Sequence, residues 1–468
     1  MIRIRSGGFW GQVDTFGLKN CGYQAYEKVV SDRFRYRGTN LAAPSDRVSG
    51  SREPDAESGK PFVNRTIVYL VHRFFPESQG GTEQFVLNIA KSQPPENRVV
   101  IFTYCAESRR EFPQHFGNIL FREDEFQGLR VIRYRHLHAP EGILQDIHSA
   151  DPDLTAFAKQ WFRSLSPDFV HCAYPSWTAS FLTICQQMKI PYGITLTDFQ
   201  ILCHYATMID KKGNFCTNCH LGVKCGEICS TKMVPDPGKR FRTALELLTR
   251  AAFLSAPSGF VAERIETNFP GVSVFVIPHG ISGKISAIPR ETVKTFLYLG
   301  KLSAAKGVHL LIRAFRQVSG DIRLKIYGSG SPLYQAKLKR IARGDRRISF
   351  CGAVSHDEID SVYRSGDCVI IPSLWEETYN MVLSEAMASG AMVIASDAGA
   401  MRERVRDGVN GYLFPCGNQE RLAEAIRQAM EHLFSPGKNE KVPGIAEEHK
   451  IYVGLYEEAA IKKETEKR

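Results

Sequence analysis

Residues 367–399 read DCVIIPSLWEETYNMVLSEAMASGAMVIASDAG, and their order of apolar, polar and small residues decides the fold. Cys368 to Ile371 is a short β-branched run closed by Pro372, the composition of a fully buried parallel strand. Ser373 to Tyr379 is a polar loop. From about Asn380 the spacing of Met381, Leu383, Ala386 and Met387 predicts a helix that Gly390 stops. A second buried strand, Met392 to Ala395, follows at once. Ligands of an open parallel sheet lie beyond the carboxyl ends of its strands, where the first N–H groups of a helix can hold a diphosphate. Glu377 lies in that loop and Glu385 further along the helix. A carboxylate suits vicinal hydroxyls, so one Glu can hold a transferred sugar and the other the ribose of a nucleotide. On spacing alone, two solvated charges on a helix and its lead-in serve as well.

The same alternation extends in both directions. From Thr66 come TIVYLV, RVVIFTY, LRVIRY, DFVHCA, YGITLT, FLSAPS and VFVIP, separated by helix-length segments. After a break near Ser282 to Glu291 it restarts with TFLYLG, RLKIYG, ISFCG, DCVIIP, MVIAS and GYLF. This predicts an α/β protein with two doubly wound, mostly parallel sheets and a ligand cleft between them. The expected units are an N-terminal extension over 1–62, a first domain over 63–285 with a Cys-rich insert at 203–229, a second domain over 286–434, and a helical tail over 435–468. The extension contains SDRVSGSREPDAESGKP, a linker composition without a sustained period.

With 468 residues the chain exceeds one ordinary core. Its 24% charged and 43% hydrophobic content is that of a soluble globular protein. No apolar run is long enough to span a membrane, and MIRIRSGGFWGQVDTFG lacks the apolar region of a secretory signal. Twelve cysteines without an export signal fit a reducing compartment. The net charge of +10 suits acidic partners such as nucleotide diphosphates or phospholipid headgroups. No basic helix interleaved with exposed aromatics stands out, so nucleic acid is not expected as a partner.

Three further constellations sit at predicted strand ends. Gly80 and Gly81 stand between the first strand and the amphipathic run Phe85, Leu87, Ile89, Ala90; paired glycines allow close backbone approach and a helix start favours an anion. In TFLYLGKLSAAKGVHLLIRAF, Lys301 and Lys306 follow a strand, where cations would oppose the charge building on a leaving diphosphate. Solvated lysines are the alternative there. The third is the insert, in which Cys216-x2-Cys219 is followed by Cys225-x3-Cys229. That spacing is compatible with a tetrahedral structural zinc, and a set of buried reduced thiols is the other reading.

Taken together these segments resemble the family 4 retaining glycosyltransferases of the GT-B fold: the Glu-x7-Glu element with Glu385-Ala386-Met387-Ala388, a GG-x-E loop at Gly80, Gly81 and Glu83, a GR-x4-KG loop at Lys301 to Gly307, a VIPNG-like turn at Val276 to Ile281, and a GG-x-x-E loop at Gly399, Ala400 and Glu403. The resemblance covers about residues 66 to 430. It implies two Rossmann-like domains facing across a cleft, a nucleoside-diphosphate-sugar donor, a glycan or lipid-linked acceptor, no metal in catalysis, and a cytoplasmic enzyme with peripheral contact at the inner membrane face. It assigns Glu377, Lys306 and Lys301 to catalysis. It places Glu385, the backbone of Thr378, Tyr379, Asn380 and Met381, and Gly80 and Gly81 around the donor, and His171 and Asp198 on the acceptor side. The chain departs from the pattern at Thr197, where the family usually has His, at Lys301 for Arg, at His279 for Asn and at Ala400 for Gly. A non-catalytic scaffold using the Cys insert and a sugar phosphorylase or epimerase are the competing readings.

Overall fold

Thr66–Val71 is apolar and buried from Ile67 onward, and in the computed structural model it forms the middle of a nine-stranded sheet. The structure describes residues 62–105, 111–138, 151–229, 236–282, 292–355, 358–431 and 442–465. The expected extension, apart from Phe62, and the expected boundary at 285/286 lie outside the described residues. The first sheet is built from β1 (Thr66–Val71), α1 (Gly81–Lys91), β2 (Arg98–Tyr104), β3 (Gln114–Phe116), β4 (Ile119–Phe126), β5 (Leu129–His136), α2 (Pro152–Leu165), β6 (Phe169–Cys172), α3 (Ala179–Met188), β7 (Tyr192–Thr195), α4 (Pro237–Thr249), β8 (Phe253–Ala256), α5 (Gly259–Asn268) and β9 (Phe275–Val276). Their spatial order is β3-β4-β5-β2-β1-β6-β7-β8-β9. The winding reverses between β1 and β6, which opens a crevice at their carboxyl ends.

The second sheet uses β10 (Thr295–Leu299), α6 (Val308–Phe315), β11 (Arg323–Tyr327), α7 (Pro332–Ala342), β12 (Ile348–Gly352), α8 (Ile359–Arg364), β13 (Cys368–Ile371), α9 (Met381–Ala388), β14 (Met392–Ser396), α10 (Met401–Arg404), β15 (Tyr412–Phe414) and α11 (Gln419–Glu431). Its order is β12-β11-β10-β13-β14-β15, with every neighbouring pair parallel. Here the winding reverses between β10 and β13. The loops carrying Lys306 and Glu377 therefore flank one crevice, as the strand-end rule requires.

The first sheet is mostly parallel, as expected, but it carries two strands that the expectation lacked, β3 and β4. β3 pairs with β4 and β4 with β5 in antiparallel register. Gln127 and Gly128 join β4 to β5 with both φ angles positive, 50° and 83°, a two-residue turn whose twist matches the flanking strands. The charged string Arg122-Glu123-Asp124-Glu125 masked β4, because it lacks a buried face over most of its length.

A last helix, α12 (Ile445–Thr465), returns to the first domain. Tyr452, Leu455, Tyr456 and Ala459 join Tyr69, Phe85, Phe169 and Phe253 in one buried cluster. Its hydroxyls tie the helix to the sheet: the Tyr456 hydroxyl lies 2.6 Å from His171 Nδ1, and the Tyr452 hydroxyl 3.1 Å from Thr195 Oγ1. A buried polar atom that loses its partner costs its full desolvation. Tyr456→Phe, which strands the His171 nitrogen, is therefore expected to lower stability by about 1–3 kcal/mol. A lower urea midpoint at unchanged slope is the reading that supports this, and an unchanged midpoint would show that packing alone holds α12.

Candidate active site

The crevice between β10 and β13 is set by a close backbone approach. Gly307 has φ 70°, and a Cβ there would lie 1.8 Å from the Pro372 carbonyl oxygen. Only glycine lets the loop after β10 lie against the loop after β13. The Leu374 N–H donates to the Ala305 carbonyl at 2.7 Å and closes the same junction. Lys306 is thereby held against Glu377: its Nζ donates to Glu377 Oε1 at 2.7 Å. The same oxygen accepts from Trp375 Nε1 at 2.8 Å and from Ser373 Oγ at 2.5 Å. Ser373 and Trp375, missed at the sequence level, fix the orientation of the carboxylate; Trp375 also lies under the Lys306 ammonium, 5.1 Å from ring centre to Nζ. Gly399 closes the other side, with φ 61° and room for no Cβ, 2.5 Å from the Glu377 carbonyl. Ala400, the departure from the family's second glycine, has φ −63°, so no glycine freedom is needed there.

Lys301 lies exposed just past β10, its carbonyl accepting from the Tyr298 hydroxyl at 2.8 Å. Glu385 accepts from the Tyr363 hydroxyl at 2.7 Å, and burial pushes its carboxyl up to about 7, with the Tyr363 hydrogen bond opposing. Asn380 caps α9, its side chain accepting from Leu383 N at 3.1 Å. The first N–H groups of such a helix have no intrahelical partner. Across the cleft, a Cβ on Gly81 would stand 3.8 Å from Met381 Cγ. The starts of α1 and α9 thus meet, one from each domain.

The loop 373–380 also bridges the domains. Thr378 Oγ1 donates to the Thr197 carbonyl at 2.8 Å, and Ser258 Oγ donates to the Thr378 carbonyl at 2.6 Å. The Tyr379 hydroxyl donates to the His279 carbonyl at 2.9 Å, so its side chain serves the interface and leaves only backbone for a donor. Arg264 Nη2 reaches Glu376 Oε1 at 3.1 Å. Burial raises the Glu376 carboxyl, and Arg264 opposes that shift.

On the first-domain wall the residues separate. Asp198 follows β7 and is pushed up to about 7 by burial against the lowering pull of Gln200 N–H, Tyr174 and Arg240. Thr197 stands beside it, but its hydroxyl donates to the Ala173 carbonyl at 2.9 Å and accepts from Thr82 Oγ1 at 2.8 Å, so its proton is committed to the protein. His171 does not occupy the acceptor side expected for it. It is 1% exposed, its nitrogens are engaged by the Tyr456 and Thr195 hydroxyls, and burial depresses its pKa to about 3. It is a neutral core residue beneath α12.

The insert gathers Cys216, Cys219, Cys225 and Cys229, all buried and free. The Cys216 and Cys219 sulfurs lie 3.9 Å apart, and the hydrogen bond from Cys219 draws the Cys216 thiol down to about 7. Among the described residues no group of three or more His, Cys, Asp or Glu side chains is arranged to hold a metal ion. Cys219 also hydrogen-bonds Cys225, so three of the four thiols adjoin; a four-thiolate zinc would need all four sulfurs around one point.

Residues 293–432, which include both crevice loops, match the family model for glycosyl transferases group 1. This second domain is a group 1 glycosyl transferase domain. Among curated glycosyltransferases, lipopolysaccharide 1,2-N-acetylglucosaminetransferase of Salmonella typhimurium is 32% identical over 190 residues, covering 36% of this chain and 50% of that protein. Phosphatidyl-myo-inositol mannosyltransferase of Mycobacterium leprae is 33% identical over 177 residues, covering 36% and 46%. The chain thus spans about half the length of these curated relatives. The whole fold is similar to glycosyltransferase structures: Anabaena HepE in complex with UDP and glucose has a TM-score of 0.57 at 18% identity, covering 86% of this chain and 100% of that one. Sucrose-phosphate synthase from Thermosynechococcus elongatus has a TM-score of 0.56 at 17%, covering 86% and 98%. At such identities the likeness is one of fold, and that fold is GT-B.

Two consequences can be measured. Gly307→Ala forces a Cβ into the Pro372 carbonyl at a positive φ, so a stability loss of about 2–4 kcal/mol is expected, and wild-type stability would show that the two loops are not in contact. Glu385 favours its neutral form in the folded protein. The folded state then binds more protons than the unfolded one between the ordinary carboxyl range and about pH 7, and stability falls as pH rises through that window. Glu385→Gln should remove this loss, gaining on the order of 2 kcal/mol over wild type at pH 8 and little at pH 4. Equal denaturant midpoints at pH 8 would contradict a raised carboxyl.

Proposed function

We propose that the chain is a retaining hexosyltransferase that moves a sugar from a nucleoside diphosphate sugar to a hydroxyl of a glycan or lipid-linked acceptor. The observation carrying this reading is the Lys306–Glu377 pair at the β10/β13 crevice, facing the joined starts of α1 and α9. Glu377, already fixed by Ser373 and Trp375, accepts hydroxyls of the transferred sugar. Glu385 takes the ribose hydroxyls in the place now served by Tyr363. As the glycosidic bond breaks, negative charge grows on the diphosphate, and Lys306, Lys301 and the first N–H groups of α9 meet it without reorganising. The donor's own phosphate oxygen receives the acceptor proton on the face the diphosphate leaves, which retains the configuration. No protein base and no metal ion is then needed for catalysis.

The activities of these relatives, on lipopolysaccharide and on phosphatidyl-myo-inositol, support a glycan or lipid-linked acceptor and a place in cell-surface polysaccharide assembly. A cytoplasmic site at the inner face of the membrane fits the net charge of +10, since anionic headgroups attract basic proteins. Among the described residues no helix is long and apolar enough to cross a membrane.

A panel of UDP-, GDP- and ADP-sugars tests the reading through melting temperature and release of nucleoside diphosphate. One base is expected to stabilise the protein by mass action and to be consumed slowly. Glu377→Gln and Lys306→Ala should each lower turnover by a factor on the order of 10² or more, the loss typical of one preorganised charge contact. A chelator should leave turnover unchanged. Binding without consumption would point to the scaffold reading, and full turnover in either variant would remove those residues from the reaction.

A further inference from the structure

The first domain has its own crevice, between β1 and β6, and the loops on its two sides carry a group of buried polar atoms without partners. His72 Nδ1 and Arg73 Nε follow β1; Ser176 Oγ and Trp177 Nε1 follow β6; none of the four makes a hydrogen bond among the described residues. His72 and Ser176 are 9% and 2% exposed. Such atoms are costly to bury, and a group of them at one strand-end crevice is the mark of a ligand that completes them.

The side chains are held in place. The His72 ring stacks on Tyr174 at 3.9 Å between centres, and its Nε2 lies 3.8 Å from Glu83 Oε1. His72 Nδ1 has no hydrogen-bond partner among the described residues and can meet a ligand hydroxyl. Burial, opposed by Glu83, lowers the His72 pKa and keeps the ring neutral. Trp177 has φ 64°, a conformation a bulky residue rarely adopts. Its carbonyl is fixed by the Tyr134 hydroxyl at 2.7 Å, and its ring centre lies 4.9 Å from Tyr104. The Arg73 guanidinium stands 5.6 Å from the Trp177 ring, and it forms no ion pair among the described residues. Of the two acids on this loop, Glu77 Oε1 accepts the Cys105 thiol at 2.8 Å, and Glu83 Oε1, which faces His72, accepts Ser78 Oγ at 2.5 Å.

Guanidinium and indole N–H groups are donors without acceptor capacity, so they call for anionic oxygens, while aromatic faces suit the C–H face of a sugar. We propose that the β1/β6 crevice binds an anionic sugar, with Arg73 and Trp177 Nε1 on its phosphate or carboxylate and His72 Nδ1 on a hydroxyl. Resting on the transferase reading, this makes the acceptor a phosphate- or carboxylate-bearing glycan.

Isothermal titration of the full chain with glucose 1-phosphate, glucuronate, inorganic phosphate and glucose tests it on wild type, Arg73→Met, Trp177→Phe and Lys306→Ala. At least one anionic sugar should bind wild type and Lys306→Ala alike, more tightly than glucose or phosphate. Its affinity should fall about tenfold or more in Arg73→Met, the loss expected for a charged hydrogen bond. Preference for glucose 1-phosphate assigns a phosphate, and preference for glucuronate a carboxylate. Trp177→Phe keeps a ring and removes the N–H, so it reads the same site if Arg73→Met does not fold. Absence of binding to wild type, binding lost only in Lys306→Ala, undiminished affinity in the folded variants, or phosphate binding as well as the sugars would each overturn the proposal. Sugar binding that depends on Arg73 alongside a silent donor panel would leave this site standing and remove the transferase reading.

Discussion

Glu377 is a carboxylate buried to 4% exposure at the end of a parallel strand, and much of the second domain is arranged so that it can stay there. A buried carboxylate needs a cation and hydrogen-bond donors. Lys306 supplies the first, and Ser373 and Trp375 supply the second. Lys306 reaches it only because Gly307 lets one loop touch the carbonyl of Pro372, and Gly399 lets a third loop touch Glu377 itself. Two glycines at positive φ therefore fix the geometry of an ion pair. The fold by itself sets the pair.

The same loop ties this site to the other domain. Thr378, Tyr379 and Glu376 each make a polar contact with the first domain, to Thr197, His279 and Arg264. Arg404 braces the loop from behind, donating to the Tyr379 carbonyl at 2.9 Å with its guanidinium 4.1 Å from the Tyr379 ring. From the first domain, Phe215 of the Cys-rich insert packs against the core of the second. Cys216, the next residue, packs in the first-domain core, so the insert stands at the seam between domains.

The C-terminal helix closes the arrangement. Glu448 accepts from Gly280 N at 2.8 Å and lies 2.9 Å from His279 Nδ1, and His279 is the residue whose carbonyl receives Tyr379. A helix that starts after the second domain and packs on the first thereby holds the linker turn, the 373–380 loop and the first-domain core through adjoining side chains.

Most of the fold was legible from residues 66 to 430, because strand runs such as Thr66–Val71 and Cys368–Ile371 carry their burial in their composition and the glycines and prolines that bound them are local signals. Glu377, Lys306 and Glu385 were legible as candidates for the same reason: loop and helix place them at strand ends. The β3–β4 hairpin was not, since its charges hide the period of two. Sequence could not show that His171 is committed to Tyr456 far along the chain, or that Asp198 is held by Gln200 N–H and Tyr174. Nor could it show that the Thr197 hydroxyl is spent on Ala173, that Ser373 and Trp375 converge on one oxygen of Glu377, or that Arg73 and Trp177 meet at one crevice. Periodicity and strand ends depend on neighbours in the chain, so the sequence by itself determined the two sheets and where ligands would lie. Which polar groups are satisfied and which are left to receive a ligand depends on partners brought from distant strands, and only the tertiary structure decided it.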